Sequence, residues 1–175
     1  LPETFVNFAA LLGWSPKEER EIYSLDELIS EFDYRRINKS PSVFDVTKLR
    51  WMNGEYIKAM DEEAFLKKAM PYIDEAIKRP LDKKKIAGMV KTRIEVFPDI
   101  TDMISFFEEV PEYDVELYCH KKMKSTKETS LSVLRDVKPI LEGASAFDND
   151  SLFSLLKGYA SEKELKNGTV MWPVR

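Results

Sequence analysis

A short oxygen-bearing side chain stands again and again directly ahead of apolar residues spaced three and four apart. Ser24, Asp45, Asp61, Asp82 and Ser125 each hold such a place. Their oxygens can accept bonds from the free N–H groups of a first helical turn. Ser24 with Glu27, and Ser125 with Glu128, have the reciprocal spacing of a capping box. No two neighbouring stretches alternate polar and apolar residues as paired strands would, so the chain is predicted to be all-α.

The stripes that follow the caps locate the helices. Residues 3–12 carry Phe5, Phe8 and Leu12 on one side and stop at Gly13, read as a left-handed cap. A short helix runs from Ser24 to about Phe32, with Tyr23 and Leu28 as its staple. Asp45 starts another at about Val46, where Leu49, Met52 and Tyr56 face inward while Lys48, Arg50 and Asn53 point elsewhere. Asp61 leads Phe65, Ala69, Tyr72, Ile73 and Ile77, with Pro71 expected to kink or split the helix. Asp82 leads Ile86, Met89, Val90, Ile94 and Phe97. Pro98 opens a helix with Ile100, Met103, Ile104 and Phe107 buried. Residues 112–118 read as an extended linker. Leu131, Leu134 and Leu141 mark the next helix, distorted near Pro139, and Leu152, Leu155, Leu156 and Tyr159 a further one. Ser161 with Glu164 opens a short one before a turn at Asn167-Gly168.

At 175 residues the chain can bury about two-thirds of its unfolded surface without staples. Its single cysteine, Cys119, excludes an internal disulfide, and no apolar run reaches membrane-spanning length, so a cytoplasmic setting is expected. The first residue is not Met and no basic, apolar leader follows, which fits a piece of a longer protein. His120 beside Cys119 has no second soft-ligand pair, so no metal site is expected. A glycine-rich phosphate loop and a nucleophile elbow are both missing, so no catalytic residue is assigned.

Charge is segregated although the net is only −4. Residues 95–116 hold Glu95, Asp99, Asp102, Glu108, Glu109, Glu112, Asp114 and Glu116 with no Lys or Arg. Ahead of them lie Lys78, Arg79, Lys83, Lys84, Lys85, Lys91 and Arg93 against one acid, Asp82. Lys121, Lys122, Lys124 and Lys127 follow. Such runs are either solvated faces or an oriented approach to a polyanion. Arg93 falls seven residues after Ile86, on an apolar seam. There it either pairs with the acidic run or offers its donor fork to a ligand.

The run Arg36-Ile-Asn-Lys-Ser-Pro-Ser-Val-Phe-Asp-Val-Thr-Lys-Leu-Arg-Trp-Met-Asn-Gly-Glu-Tyr-Ile57 resembles the junction after the catalytic half of bacterial-type glutamyl-tRNA synthetases, a class I aminoacyl-tRNA synthetase family. Residues 1–16 are similar to the segment that follows the family's ATP-binding loop. Val170-Met-Trp-Pro-Val-Arg175 is similar to a motif of its second anticodon-binding subdomain. The resemblance implies a multi-helix cage: a stem-contact region over 1–60, one anticodon-binding subdomain over 61–110, and a second over 111–175 whose family pattern continues past Arg175. It implies tRNA(Glu) and an upstream catalytic domain as partners, and a monomer. ATP and Mg would belong to the parent enzyme, with no cofactor in this chain. Arg93 aligns with the arginine that selects the third anticodon base, which implies the type strict for glutamate tRNA. Arg175, with Trp172 stacking beside it, would approach the middle base, although Trp172 reads equally well as core. Lys39 and Ser40 become linker residues near the tRNA. Lys48, Arg50, Lys84, Lys91, Lys121 and Lys122 become contacts to its stem and backbone. The competing reading is a non-enzymatic helical module that binds proteins through the acidic 95–116 face.

Overall fold

The computed structural model describes residues 1–39 and 42–175; Ser40 and Pro41, at the end of the basic connector, lie outside the described residues. Among the described residues there is no strand, only two isolated bridges, Trp14 with Ile37 and His120 with Ser125. The fold is all-α, and among the described residues no helix is long and apolar enough to cross a membrane.

The chain forms two compact units, Leu1–Pro111 and Glu112–Arg175. The first contains α1 (Pro2–Gly13), α2 (Leu25–Glu31), α3 (Val46–Ala59), α4 (Glu62–Ala76), α5 (Lys83–Val90) and α6 (Asp99–Ile104). Its main core joins Ile57 to Phe65, Ala69, Ile73, Ile77, Ile86, Val90, Ile94, Ile100 and Ile104. Residues 1–60 and 61–110 therefore share one core and are not separate bodies. A smaller cluster gathers Trp14, Tyr23 and Leu28.

The caps form as their chemistry dictates. Asp45 accepts from the backbone N–H of Thr47 at 2.8 Å and Lys48 at 3.1 Å. Asp61 and Asp82 do the same for Ala64 and Lys85, and Ser24 and Glu27 close their box in both directions. Phe44, ahead of the Asp45 cap, meets the ring of Phe8 edge-on. α4 continues through Pro71 as one helix, because Phe65, Ala69 and Ile73 bury fully along it and outweigh the lost bond.

α1 departs from its apolar pattern. Its buried face is Thr4, Asn7 and Phe8, while Phe5 stays exposed. The reason is hydrogen bonding: Thr4 donates to Asn53 Oδ1 at 3.1 Å, and Asn7 Oδ1 accepts from the Tyr23 N–H at 2.9 Å and the Tyr56 hydroxyl at 2.8 Å. Those bonds satisfy the Asn7 oxygen; its Nδ2 is buried without a partner among the described residues and costs stability. Gly13 is the last helical residue and is not left-handed; Trp14 ends the helix in extended backbone.

The second unit contains α7 (Lys127–Glu142), α8 (Asn149–Glu162) and α9 (Asn167–Val174) around Val133, Val137, Leu156, Tyr159, Ala160 and Val170. Residues 112–118 are not simply extended; Val115–Tyr118 is a 3₁₀ turn capped by Asp114. The capping box lies one residue later than Ser125, on Thr126 and Thr129. Ser125 is instead buried, its hydroxyl bonded to the Tyr118 carbonyl at 2.6 Å and to Ser130 at 2.7 Å. That bond turns Ser130, Val133 and Val137 inward on α7 and leaves Leu131 exposed. α7 continues through Pro139, as α4 does through its proline. No separate helix starts at Ser161. α8 runs to Glu162, Glu164 takes a left-handed φ of 53°, and Asn167-Gly168 is the first turn of α9. A Cβ on Gly168 would meet Met123 Sδ at 2.5 Å, so a larger residue there would make the flexible Met123 side chain swing aside.

Tyr159, buried in this core, donates to Asp136 Oδ2 at 2.9 Å. Burial first, and then the bond to Asp136, push its hydroxyl up to about 12. A raised folded-state value means that the stabilisation is complete below the ordinary tyrosine range, near pH 10, and is lost as pH rises towards 12. Tyr159→Phe should lower stability by about 1 kcal/mol at pH 8. It should also flatten the fall in stability between pH 8 and 11, read by denaturant unfolding at both values.

Candidate nucleic-acid interface

α5 ends at Val90, and residues 91–93 form a turn in which the Arg93 N–H donates to the Val90 carbonyl at 2.9 Å. That stop resets the helical phase. Ile94 enters the core at 1% exposure, while Arg93 is exposed and its side chain has no hydrogen bond or ion pair among the described residues. Arg93 thus lies neither on an apolar seam nor in a salt bridge to the acidic run. Its donor fork is presented on a turn, the usual place for a binding group held by a rigid scaffold.

The partner of the acidic run is Arg50. Its Nε donates to Glu95 Oε2 at 2.9 Å, and its Nη2 to Asp99 Oδ1 and Oδ2 at 3.0 and 2.9 Å. Asp99 Oδ2 also accepts from the backbone N–H of Glu95 at 3.2 Å and of Val96 at 3.1 Å. Burial alone would raise the Asp99 carboxyl, but the Arg50 guanidinium and these two N–H groups outweigh it, holding it below the usual carboxylate range. The same bonds, to Asp99 first and Glu95 second, raise Arg50. Asn53, predicted to point outward, is buried. It donates to the Glu95 carbonyl at 2.5 Å and accepts from the Leu1 backbone nitrogen at 2.7 Å. Beside it, a Cβ on Gly54 would stand 3.3 Å from the Ile94 carbonyl oxygen. Asn53 and Gly54 were readable as a signal: both are poor helix formers, and they stand together in the middle of a helix.

The remaining cations divide in the same manner. Lys48 pairs with Glu21. Lys91 donates to the Met60 carbonyl, with its ammonium 5.7 Å from the centre of the Phe65 ring. Lys48, Arg50 and Lys91, all expected to face the RNA, are therefore engaged within the protein. Lys84 makes only an exposed pair with Glu62 at 3.4 Å, a contact that water and salt weaken readily. Lys39, Lys121 and Lys122 are exposed.

Part of the acidic face is spent internally. Besides Glu95 and Asp99, Glu108 accepts from the Lys78 and Arg79 N–H groups at 2.8 and 3.1 Å. Those bonds, that of Arg79 first, hold its carboxyl low. Glu116 pairs with Lys127 at 2.5 Å.

In the second unit Trp172 is half-buried. Its Nε1 donates to the Leu117 carbonyl at 2.9 Å, and its ring meets His120 with centroids 4.1 Å apart. The indole therefore ties α9 to the turn at Val115–Tyr118, while Arg175 at the end of the same helix is exposed.

An all-helical chain that leaves Arg93 on a turn, Arg175 at a helix end, and Lys121 and Lys122 open to solvent carries groups suited to a polyanion. Residues 64–175 match the anticodon binding domain family, and residues 1–51 match the catalytic domain of class I tRNA synthetases of the E and Q type. The chain belongs to the anticodon binding domain family. It is 56% identical over 173 residues to a glutamate–tRNA ligase of Lachnoclostridium phytofermentans, covering 99% of this chain and 35% of that protein. It is 46% identical over 175 residues to one of Clostridium botulinum, covering 100% and 36%. Among solved structures, a glutamate tRNA ligase from Elizabethkingia meningosepticum, in complex with its amino acid, superposes with a TM-score of 0.78 at 32% identity, over 100% of this chain and 34% of that one. The chain thus spans about a third of the length of the relatives it matches.

The closeness of α3 to residue 94 can be tested by paired substitutions. Gly54→Val should destabilise by about 2 kcal/mol, because backbone must move to admit the side chain. Gly88→Ala, on α5 with nothing within 4 Å, should stabilise by about 0.5–1 kcal/mol. Denaturant midpoints of the two variants check both signs.

Proposed function

We propose that this chain is the tRNA-holding portion of a glutamate–tRNA ligase and reads the anticodon of tRNA(Glu). The observation that carries the proposal is the unpaired guanidinium of Arg93 on the turn after α5, inside a stretch that matches an anticodon binding domain. A fork of this kind can take a base edge by two parallel bonds, and a base with the wrong edge leaves those donors unpaired, a difference of about 1–3 kcal/mol. On this reading Arg93 faces the Watson–Crick edge of the third anticodon base, where cytosine presents the O2 and N3 acceptors and guanine, the base that stands there in glutamine anticodons, presents N–H donors that oppose the fork. Arg175 approaches the middle base, and Trp172 contributes its open ring surface, since its N–H is committed to Leu117. Lys39, Lys84, Lys121 and Lys122 hold phosphates without reading sequence. Residues 1–60 face the stem, and 61–110 and 111–175 face the anticodon arm.

The chemical step belongs to the remainder of the longer protein. On this reading ATP and its Mg²⁺ are held there too. The chain works as a monomer in the cytoplasm, joined to its catalytic part. The reading as a protein-interaction module on the acidic face is disfavoured, because Glu95, Asp99, Glu108 and Glu116 are already bonded within the protein.

Binding of the chain to tRNA(Glu) at two salt concentrations tests the proposal, using the normal anticodon, a cytosine-to-guanine change at its third position, and Arg93→Gln. The expected result is a salt-sensitive affinity that guanine weakens about tenfold in the wild type and leaves unchanged in the variant. Equal binding of all combinations would show that the chain only grips phosphates.

A further inference from the structure

The side chain of Arg93 has no partner, so its place is set entirely by the backbone that carries it. That backbone is held on both flanks by α3. Ahead of Arg93, the Lys91 ammonium bonds the carbonyl of Met60, the residue that ends α3. Behind it, Asn53 of α3 holds the Glu95 carbonyl at 2.5 Å. Asp99 holds the Glu95 and Val96 N–H groups, and Arg50 of α3 holds both Asp99 oxygens and Glu95 Oε2. Gly54 allows this approach, since its missing Cβ would sit against the Ile94 carbonyl.

We infer that Arg50, acting with Asn53 and Asp99, is a positioning residue for Arg93 and sets its choice of base without itself touching RNA. The inference rests on the reading of Arg93 given above. Its physical ground is geometric tolerance. A bidentate bond to a base edge requires the fork to be placed within about 0.5 Å, whereas attraction to phosphate tolerates several ångströms. Loosening the backbone beyond Arg93 therefore erodes base choice and leaves overall affinity nearly intact. Guanidinium is suited to the task because one planar group satisfies two carboxylates at once, which an ammonium does less well.

The simpler role for an arginine at this place is a phosphate contact, and the two roles separate experimentally. With the 175-residue chain, Arg50→Gln should reduce the tenfold preference for cytosine over guanine to twofold or less, with Arg50→Lys in between. Amide hydrogen exchange at residues 94–96 should quicken about tenfold in Arg50→Gln, while α4 exchanges as before. The slope of log affinity against log salt should not change. A slope smaller by about 0.7–0.9, with base preference kept, would make Arg50 a phosphate contact and overturn the inference. Unchanged preference and exchange would overturn it as well, and Arg50→Lys decides the matter if Arg50→Gln does not fold. If the wild type shows no preference, the reading of Arg93 fails and the claim about base choice falls with it; exchange then still decides whether Arg50 holds the turn.

Discussion

The meeting of α3 with residues 94–99 is the contact on which the first unit depends. It combines a half-exposed guanidinium shared between two carboxylates, a buried amide, and a glycine that lets backbone approach backbone. None of these is strong alone. An exposed ion pair contributes little, and a neutral hydrogen bond about 1 kcal/mol. Together they close the polar groups of a corner that immediately precedes α6, so that Ile94 and Ile100 can enter the core beside Ile57. The same helix faces α1 through Asn53 and Tyr56, which reach Thr4, Asn7 and the Tyr23 carbonyl. α3 is thus bonded by polar contacts on one side and packed by apolar ones on the other. These bonds favour one arrangement, since another pairing would leave more buried groups unmet than the Asn7 Nδ2 and Tyr23 hydroxyl already are.

Much of this was legible in the sequence where the signal is local. Caps at Ser24, Asp45, Asp61 and Asp82, the all-α class, and the apolar faces of α4 and α6 follow from spacing and first-turn chemistry. Burial decided by a distant hydrogen bond was not legible. Counting apolar side chains put Phe5 and Leu131 inside; Asn7 and Ser130 went there instead because their partners lie elsewhere on the fold. The phase of Arg93 was lost for a related reason. α5 stops at Val90 with neither glycine nor proline to announce it, so the period seemed to run on. Among the candidate site residues, composition could not tell a cation facing solvent from one facing its own carboxylate 45 or 49 positions away, as Arg50 does.

That division among cations also resolves why a chain of net charge −4 suits a polyanion. Net charge sums groups whose fields have already been cancelled. Glu95 and Asp99 face Arg50, Glu108 caps backbone N–H groups, and Glu116 faces Lys127. Pairing removes cations as well as carboxylates, so what it changes is where open charge sits: Arg93, Lys121 and Lys122 remain exposed and without an ion pair among the described residues. A surface crowded with unpaired lysines would bind any phosphate chain, whereas one guanidinium on a braced turn binds well only where a base edge matches it. Two of the carboxylates that make the sequence look unsuited to RNA, Glu95 and Asp99, are on the proposed reading what holds the turn of Arg93 still.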